Sequence, residues 1–249
     1  MHRFFIQLSF KGTLYHGWQI QPNANTVQQT ITDALSKILN EQIQITGAGR
    51  TDTGVHARCF YAHFESKMDL SARTWKLVFQ LNSILPDDIS IQRIFKVESD
   101  IHARFSAISR TYKYYTSKVK DPFAKDFEYA YYGPLLVKPM EEAAKVLLEY
   151  SDFTSFSKLH TQTGNNICKI SEAYWQVNGD KLIFTISANR FLRNMVRAIV
   201  GTMLQIGSGK ISPEDIHEII KKADRSAAGP SAPAQGLFLT NIEYPNKLV

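Results

Sequence analysis

Cysteine is scarce in this chain: Cys59 and Cys168 are the only two in 249 residues. They lie far apart and match no metal-type spacing, which argues against a disulfide scaffold and a zinc ribbon. Reduced intracellular thiols are the expectation. His56 and His63 have no cysteine or acidic neighbour at ligand spacing, so no metal site is expected. Long apolar runs are also missing. The most hydrophobic stretch, 190–206, is interrupted by Arg190, Arg193 and Arg197 and cannot be a membrane span. Met1-His2-Arg3 leads into an alternating pattern instead of a continuous apolar stretch, so no signal peptide is expected and the chain reads as cytoplasmic. There is no G-x-S-x-G of a hydrolase elbow. Gly47 and Gly49 open a pattern that Asp52 breaks at the third glycine position, and a strand follows where a dinucleotide site needs a helix. No cofactor is expected. Acidic residues are in modest deficit, 23 against 29 basic ones, giving a net charge of +6. That balance leans toward an anionic partner such as nucleic acid.

What is present is apolar periodicity. Hydrophobic residues make up 44% of the chain, enough for one large core or two small ones. Phe4, Ile6, Leu8 and Phe10 alternate as a strand. Val27, Ile31, Leu35, Ile38 and Leu39 recur at helical spacing behind a cap at Asn25 or Thr26. A short strand over 43–46, a strand over 58–65, a helix capped by Ser71 and carrying Trp75, Val78 and Phe79, and a strand over 89–97 follow. The second half gives a strand over 109–118, a helix from Pro139, a hairpin of 168–177 and 181–187 around Asn178-Gly179-Asp180, a long helix over 190–206, an extra helix from Ser212-Pro213, and a last strand over 237–243. Each half reads β-α-β-β-α-β, the order of a ferredoxin-like unit. The expected fold is α+β, with domains at 1–105 and 106–249, two antiparallel sheets side by side and a cleft between them. Segment 224–236, rich in Ser, Ala, Pro and Gly, reads as a surface loop.

Three features carry chemistry. The first is Gly49-Arg50-Thr51-Asp52-Thr53-Gly54-Val55-His56-Ala57. It sets one carboxylate in a tight loop between apolar runs, with Arg50 two residues before it to orient the acid, and glycines that let a ligand approach the backbone. A lone loop carboxylate ordinarily solvates a turn; the arginine and the glycines argue for catalysis. The second is the strand Ser109-Arg110-Thr111-Tyr112-Lys113-Tyr114-Tyr115, an aromatic platform beside cations of the kind on which unstacked RNA bases lie. The bland reading, fitting Tyr114 or Tyr115 best, is sheet core. The third is Arg190, Arg193 and Arg197 at helical spacing, suited to phosphates or to buried acids. Arg190 and Arg193, with Arg58 and Lys113, form the candidate RNA-binding set. Any one of these arginines by itself is ordinarily part of a solvated face.

The Asp52 segment resembles, almost letter for letter, the G-R-T-D-x-G-V-H-A motif of the tRNA pseudouridine synthase A family. Further motifs occur in family order along essentially the whole chain: Phe10-Lys11-Gly12-Thr13-Leu14-Tyr15-His16-Gly17-Trp18-Gln19, Arg110-Thr111-Tyr112, Asp152-Phe153-Thr154-Ser155-Phe156, Phe191-Leu192-Arg193-Asn194-Met195-Val196-Arg197, and Ala232-Pro233-Ala234-Gln235-Gly236-Leu237-Phe238-Leu239. Cys168 departs from an arginine in many relatives, and Arg193 from a histidine or aromatic. The resemblance implies that Asp52 is the catalytic aspartate, supported by Arg50 and Arg197, with Tyr112 and Leu237 at the target base. It further implies a homodimer that converts uridines at positions 38, 39 and 40 of the tRNA anticodon arm to pseudouridine, with no cofactor. Two other functions fit parts of the sequence. A non-catalytic RNA-binding protein leaves the Arg50–Asp52 loop without a purpose. A glycoside or nucleoside hydrolase needs a second carboxylate, and the motif around Asp52 offers none.

Overall fold

The computed structural model describes residues 1–158 and 165–245. The chain forms two compact units, Met1–Ile108 with the chain from Leu239 onward, and Ser109–Phe238.

In the first unit the elements follow the order that the periodicities predict: β1 (His2–Phe10), α1 (Val27–Leu39), β2 (Ile45–Gly47), β3 (His56–Ser66), α2 (Thr74–Ile84) and β4 (Ile89–Val97). β1 runs antiparallel between β3 and β4, and β2 pairs antiparallel with the far part of β3. The expected inward face of β1 is buried at Phe4, Ile6, Leu8 and Phe10. Its other face is buried too at Phe5, where Tyr244 lays its ring edge-on at 5.5 Å. Tyr244 also meets Tyr61 at 5.1 Å and donates its hydroxyl to the Ala103 carbonyl at 2.5 Å. Thr26 caps α1 by accepting from the Gln29 amide, and Asn40 ends it in a left-handed conformation with φ +49°. α2 corrects the reading at Ser71. Residues Ser71–Arg73 form a separate 3-10 turn, the helix starts at Thr74, and Leu77 and Leu81 point inward. Trp75 and Phe79 are exposed.

The second unit holds β5 (Ser109–Ser117), β6 (Tyr129–Ala130), α3 (Val137–Val146), β7 (Ile170–Asn178), β8 (Lys181–Ala188), α4 (Met195–Gly207) and α5 (Asp215–Lys221). β8 runs antiparallel between β5 and β7. The short β6, which periodicity does not reveal, adds to β5 in parallel and makes the strand pairing mixed. Asn178 pairs with Lys181, so Gly179 and Asp180 form a two-residue turn with Gly179 at φ +59°. Ile216, Ile219 and Ile220 of α5 are buried as their spacing predicts. β9 (Leu237–Glu243) begins in the second unit and ends in the first. A simple bisection at 105 therefore misses where the chain end goes, because Ile242 and Tyr244 bury against the first unit. The architecture is α+β, and no described helix is long and apolar enough to cross a membrane.

Candidate active site

Asp52 stands in the loop between β2 and β3, half-buried, with Arg50 exposed two residues before it. The loop is a tight turn: the Val55 amide donates to the Asp52 carbonyl at 3.2 Å, and Gly54 takes φ +78°, a region that L-residues avoid. Its start is tied down by the Ala48 amide, which donates to the Tyr61 carbonyl at 2.8 Å.

The segment after β1 forms the floor of this turn. Gly17, at φ +85°, lies so close that a Cβ there would stand 2.2 Å from the Thr51 carbonyl oxygen. At Gly12 a Cβ would stand 2.0 Å from the Val55 carbonyl oxygen. The Gly54 amide donates to the Tyr15 carbonyl at 3.3 Å, and the Gly12 amide donates to His56 Nδ1 at 3.0 Å. Trp18 is buried at 4.2 Å from the Phe60 ring, with Gly47 flat against its indole. The hydrophobic plug that Tyr15 and Trp18 suggest is therefore real, and it also shapes the Asp52 turn. The Thr51 hydroxyl beside Asp52 is buried with no hydrogen-bond partner among the described residues. Leaving such a group unsatisfied costs about 1–3 kcal/mol.

Within the second unit, the sequence candidates gather around the start of β5. Tyr112 is half-buried and meets Phe191 edge-on at 5.2 Å. Arg110 donates to the Asn189 carbonyl at 2.7 Å, which ties β5 to the connection carrying Arg190 and Arg193. Tyr114 is fully buried and donates to the Pro233 carbonyl at 2.8 Å, so it is core, and burial holds its hydroxyl far above the usual phenol range. Tyr115 packs edge-on against Phe238. Lys113 is half-buried on the same strand.

The arginine cluster needs a correction. α4 begins at Met195, because Asn194 before it adopts φ +65°. Arg190 and Arg193 therefore lie in the connection from β8, and only Arg197 is on the helix. Arg190 donates to Asn165 Oδ1 at 3.3 Å, while Arg193 is exposed. Arg197 donates Nε to the Ala232 carbonyl at 2.7 Å and accepts the Ala232 amide on its own carbonyl at 2.9 Å.

Segment 224–236 is likewise not a plain surface loop. Arg225 donates to the carbonyls of Ala228 and Gly229 and to Ser231 Oγ, Asn194 donates to the same Ser231 oxygen, and Gly229 donates to the Thr202 hydroxyl. A Cβ at Gly201 of α4 would collide with the Pro230 carbonyl. These contacts deliver Leu237, buried at the first position of β9, from a fixed strap. Small residues and prolines here permit close backbone packing on α4, which composition alone does not distinguish from a mobile loop.

Arg58 lies exposed on β3. His56 and His63 are buried acceptors of backbone amides, from Gly12 and Ala103 respectively. Burial, then the neighbouring His102 and Arg3, lower the His63 pKa to about 4. Burial raises the Cys59 and Cys168 thiols, the latter to about 11. Two supporting residues have no motif to announce them: Asp88, whose carboxylate accepts the Tyr15 hydroxyl 73 positions earlier in the chain, and Arg225, whose bonds go mainly to the backbone carbonyls of Ala228 and Gly229.

The first unit thus presents one carboxylate on a tight turn, and the second unit carries an aromatic strand flanked by an arginine. The family model described as tRNA pseudouridine synthase matches residues 7–106 and 143–245, and the chain belongs to that family of isomerases. Among its relatives, the tRNA pseudouridine synthase A of Bacteroides thetaiotaomicron is 51% identical over 100% of this chain and 93% of its own length. That of Porphyromonas gingivalis is 50% identical over 100% of this chain and 99% of its own. The Bacillus subtilis protein of the same name is 39% identical over 96% of this chain and 98% of its own.

Proposed function

We propose that this chain isomerises uridine to pseudouridine at positions 38, 39 and 40 of the tRNA anticodon stem-loop, with Asp52 as its catalytic carboxylate. Family membership supports tRNA uridine as the substrate. The observation that carries the assignment to Asp52 is the turn itself: a half-buried acid whose backbone is pinned on both sides by glycines that tolerate no Cβ. Such fixation suits a group that must meet a reacting atom within a fraction of an ångström.

The reaction is balanced without a donor or an oxidant. The N1–C1′ bond breaks, uracil turns, C5 bonds to C1′, and the C5 proton leaves as one returns to N1. Asp52 acts as nucleophile at C1′ or C6, or as a base at the sugar. The target base must leave its stack, and Tyr112 and Leu237 are assigned to receive it; aromatic stacking offsets part of that cost. Arg50 and Arg197 support the carboxylate, and Arg58, Lys113, Arg190 and Arg193 contact RNA phosphates. The fold reading that accompanies this function is two ferredoxin-like halves, each supplying part of the site, in a homodimer.

Release of tritium from uridine C5 in bulk tRNA tests the proposal. Wild type is expected to release label, and Asp52→Asn to lose at least about 10³-fold in rate while retaining tRNA affinity. An Asp52→Asn protein with a substantial fraction of wild-type turnover refutes the assignment. Free uracil among the products would point to a hydrolase, and binding without release to a non-catalytic RNA-binding protein.

A further inference from the structure

The floor of the Asp52 turn has its own anchor, and it lies 36 residues beyond the aspartate, at the α2–β4 connection. Asp88 takes two bonds from the floor segment. Its carbonyl accepts the Lys11 amide at 2.8 Å, and its carboxylate Oδ1 accepts the Tyr15 hydroxyl at 2.6 Å. The second is short, as expected for a hydroxyl donating to a charged oxygen. The Tyr15 ring is buried, and burial followed by the Asp88 bond raises its pKa, so the phenol stays a donor. The carbonyl of the same tyrosine then accepts the Gly54 amide at 3.3 Å, on the side of the turn opposite Asp52's lead-in.

This gives an unbroken path of two hydrogen bonds and one residue: Asp88 carboxylate, Tyr15, Gly54 amide, two positions from Asp52. Gly17 bears directly on the Thr51 carbonyl, so a shift in the 12–17 segment passes to the aspartate's own peptide unit. We infer that Tyr15 and Asp88 are positioning residues for Asp52, setting the height of the turn without touching the substrate. The inference rests on the reading of Asp52 as the catalytic group.

The experiment compares Tyr15→Phe, Asp88→Ala, Asp88→Asn and the double variant Tyr15→Phe/Asp88→Ala with wild type, and with Asp52→Asn as reference. Single-turnover rate at saturating tRNA, tRNA Kd by filter binding and Tm are read for each. Misplacing a reacting group by about 1 Å can cost up to about 10²-fold. Tyr15→Phe and Asp88→Ala are each expected to lose about 10-fold in rate, with Kd within about twofold of wild type. Water reaches the half-exposed Asp88 in Tyr15→Phe, so Tm holds within a few degrees and folding is not in question. Asp88→Asn keeps an acceptor oxygen at the same place and should return to within about threefold of wild type. The double variant should be no slower than either single, since both remove one bond.

A wild-type rate in Tyr15→Phe overturns the inference while leaving Asp52 in place, provided Asp52→Asn is inactive. So does a double variant whose defects multiply, or a rate loss that follows Tm. An active Asp52→Asn overturns the reading of Asp52 and this inference with it.

Discussion

Glycine 17 combines two constraints at one position. Its φ of +85° belongs to the region that L-residues avoid, and its missing Cβ is where the Thr51 carbonyl passes. Gly17→Ala meets both, the conformational term and a contact that only backbone movement relieves. A loss on the order of 2–4 kcal/mol is expected. Thermal melts should show Tm down by about 5–15 °C, with the residual rate per folded molecule reduced as well. Gly49, two residues before Thr51, has open space at its Cβ position. Gly49→Ala is the matching control, and equal damage in both variants would remove the argument. His63 gives a second test at this scale. It is buried and accepts the Ala103 amide on Nδ1, so its native pKa falls to about 4 from an ordinary 6.5. The neutral ring is favoured in the folded state, so its stabilising contribution is complete above about pH 6.5. That contribution is lost as pH falls from 6.5 toward 4, where the unfolded chain takes up the proton first. The effect is on the order of 3 kcal/mol. Melting of wild type and His63→Gln between pH 4 and 7.5 should show a slope in the former that is flatter in the latter.

Among the elements, α4 and the strap over it divide the work of the arginines. Arg197 is committed to the Ala232 backbone through both its side chain and its main chain. Arg197→Ala releases the strap that leads to Leu237, and turnover at saturating tRNA should fall about 10–100-fold with Kd little changed. Arg193, exposed before the helix, should act as a phosphate contact. Arg193→Ala should weaken binding and flatten the log–log salt dependence by about one unit, with the saturated rate kept. Filter binding across salt, paired with single-turnover rates, separates the two; reversed results exchange the roles, and silence in both leaves neither arginine with a part in the site. The helix itself was legible as an apolar periodicity. Its start was not, because Asn194 at φ +65° breaks a spacing that otherwise runs on through Arg190 and Arg193. The strap is equally hidden in the sequence, because Gly and Ala allow close packing and loose loops alike.

For the whole molecule, a homodimer is the reading that accompanies the proposed activity, since contacts spread over two subunits suit recognition of a large RNA by its shape. Light scattering at assay concentration should give twice 28.3 kDa. A monomer with full activity on tRNA would end that reading without touching the roles of Asp52 or Tyr112.

Some properties of this protein are local and were open to the sequence alone. Strand alternation in β1, helical spacing in α1 and α5, the two-residue turn at Gly179-Asp180 and the Asp52 motif each depend on residues within a few positions of one another. Others belong to contacts between distant segments, and only the tertiary structure decided them. Trp75 and Phe79 of α2 face outward because Leu77 and Leu81 occupy the core face, a choice that helical spacing leaves open. Tyr114 became core, while Tyr112, two residues away on the same face of β5, stayed half-buried: Pro233 receives the one, and Phe191 flanks the other edge-on. The chain end left the second unit for the first because Tyr244 finds Phe5, Tyr61 and Ala103 there. The carboxylate that anchors the floor of the Asp52 turn sits at an ordinary-looking Asp87-Asp88 pair, whose meaning depends on a hydroxyl 73 positions earlier in the chain. Periodicity records which face of an element is apolar. It carries no record of which backbone carbonyl, ring or carboxylate will arrive there from elsewhere, and those arrivals hold the Asp52 turn in place.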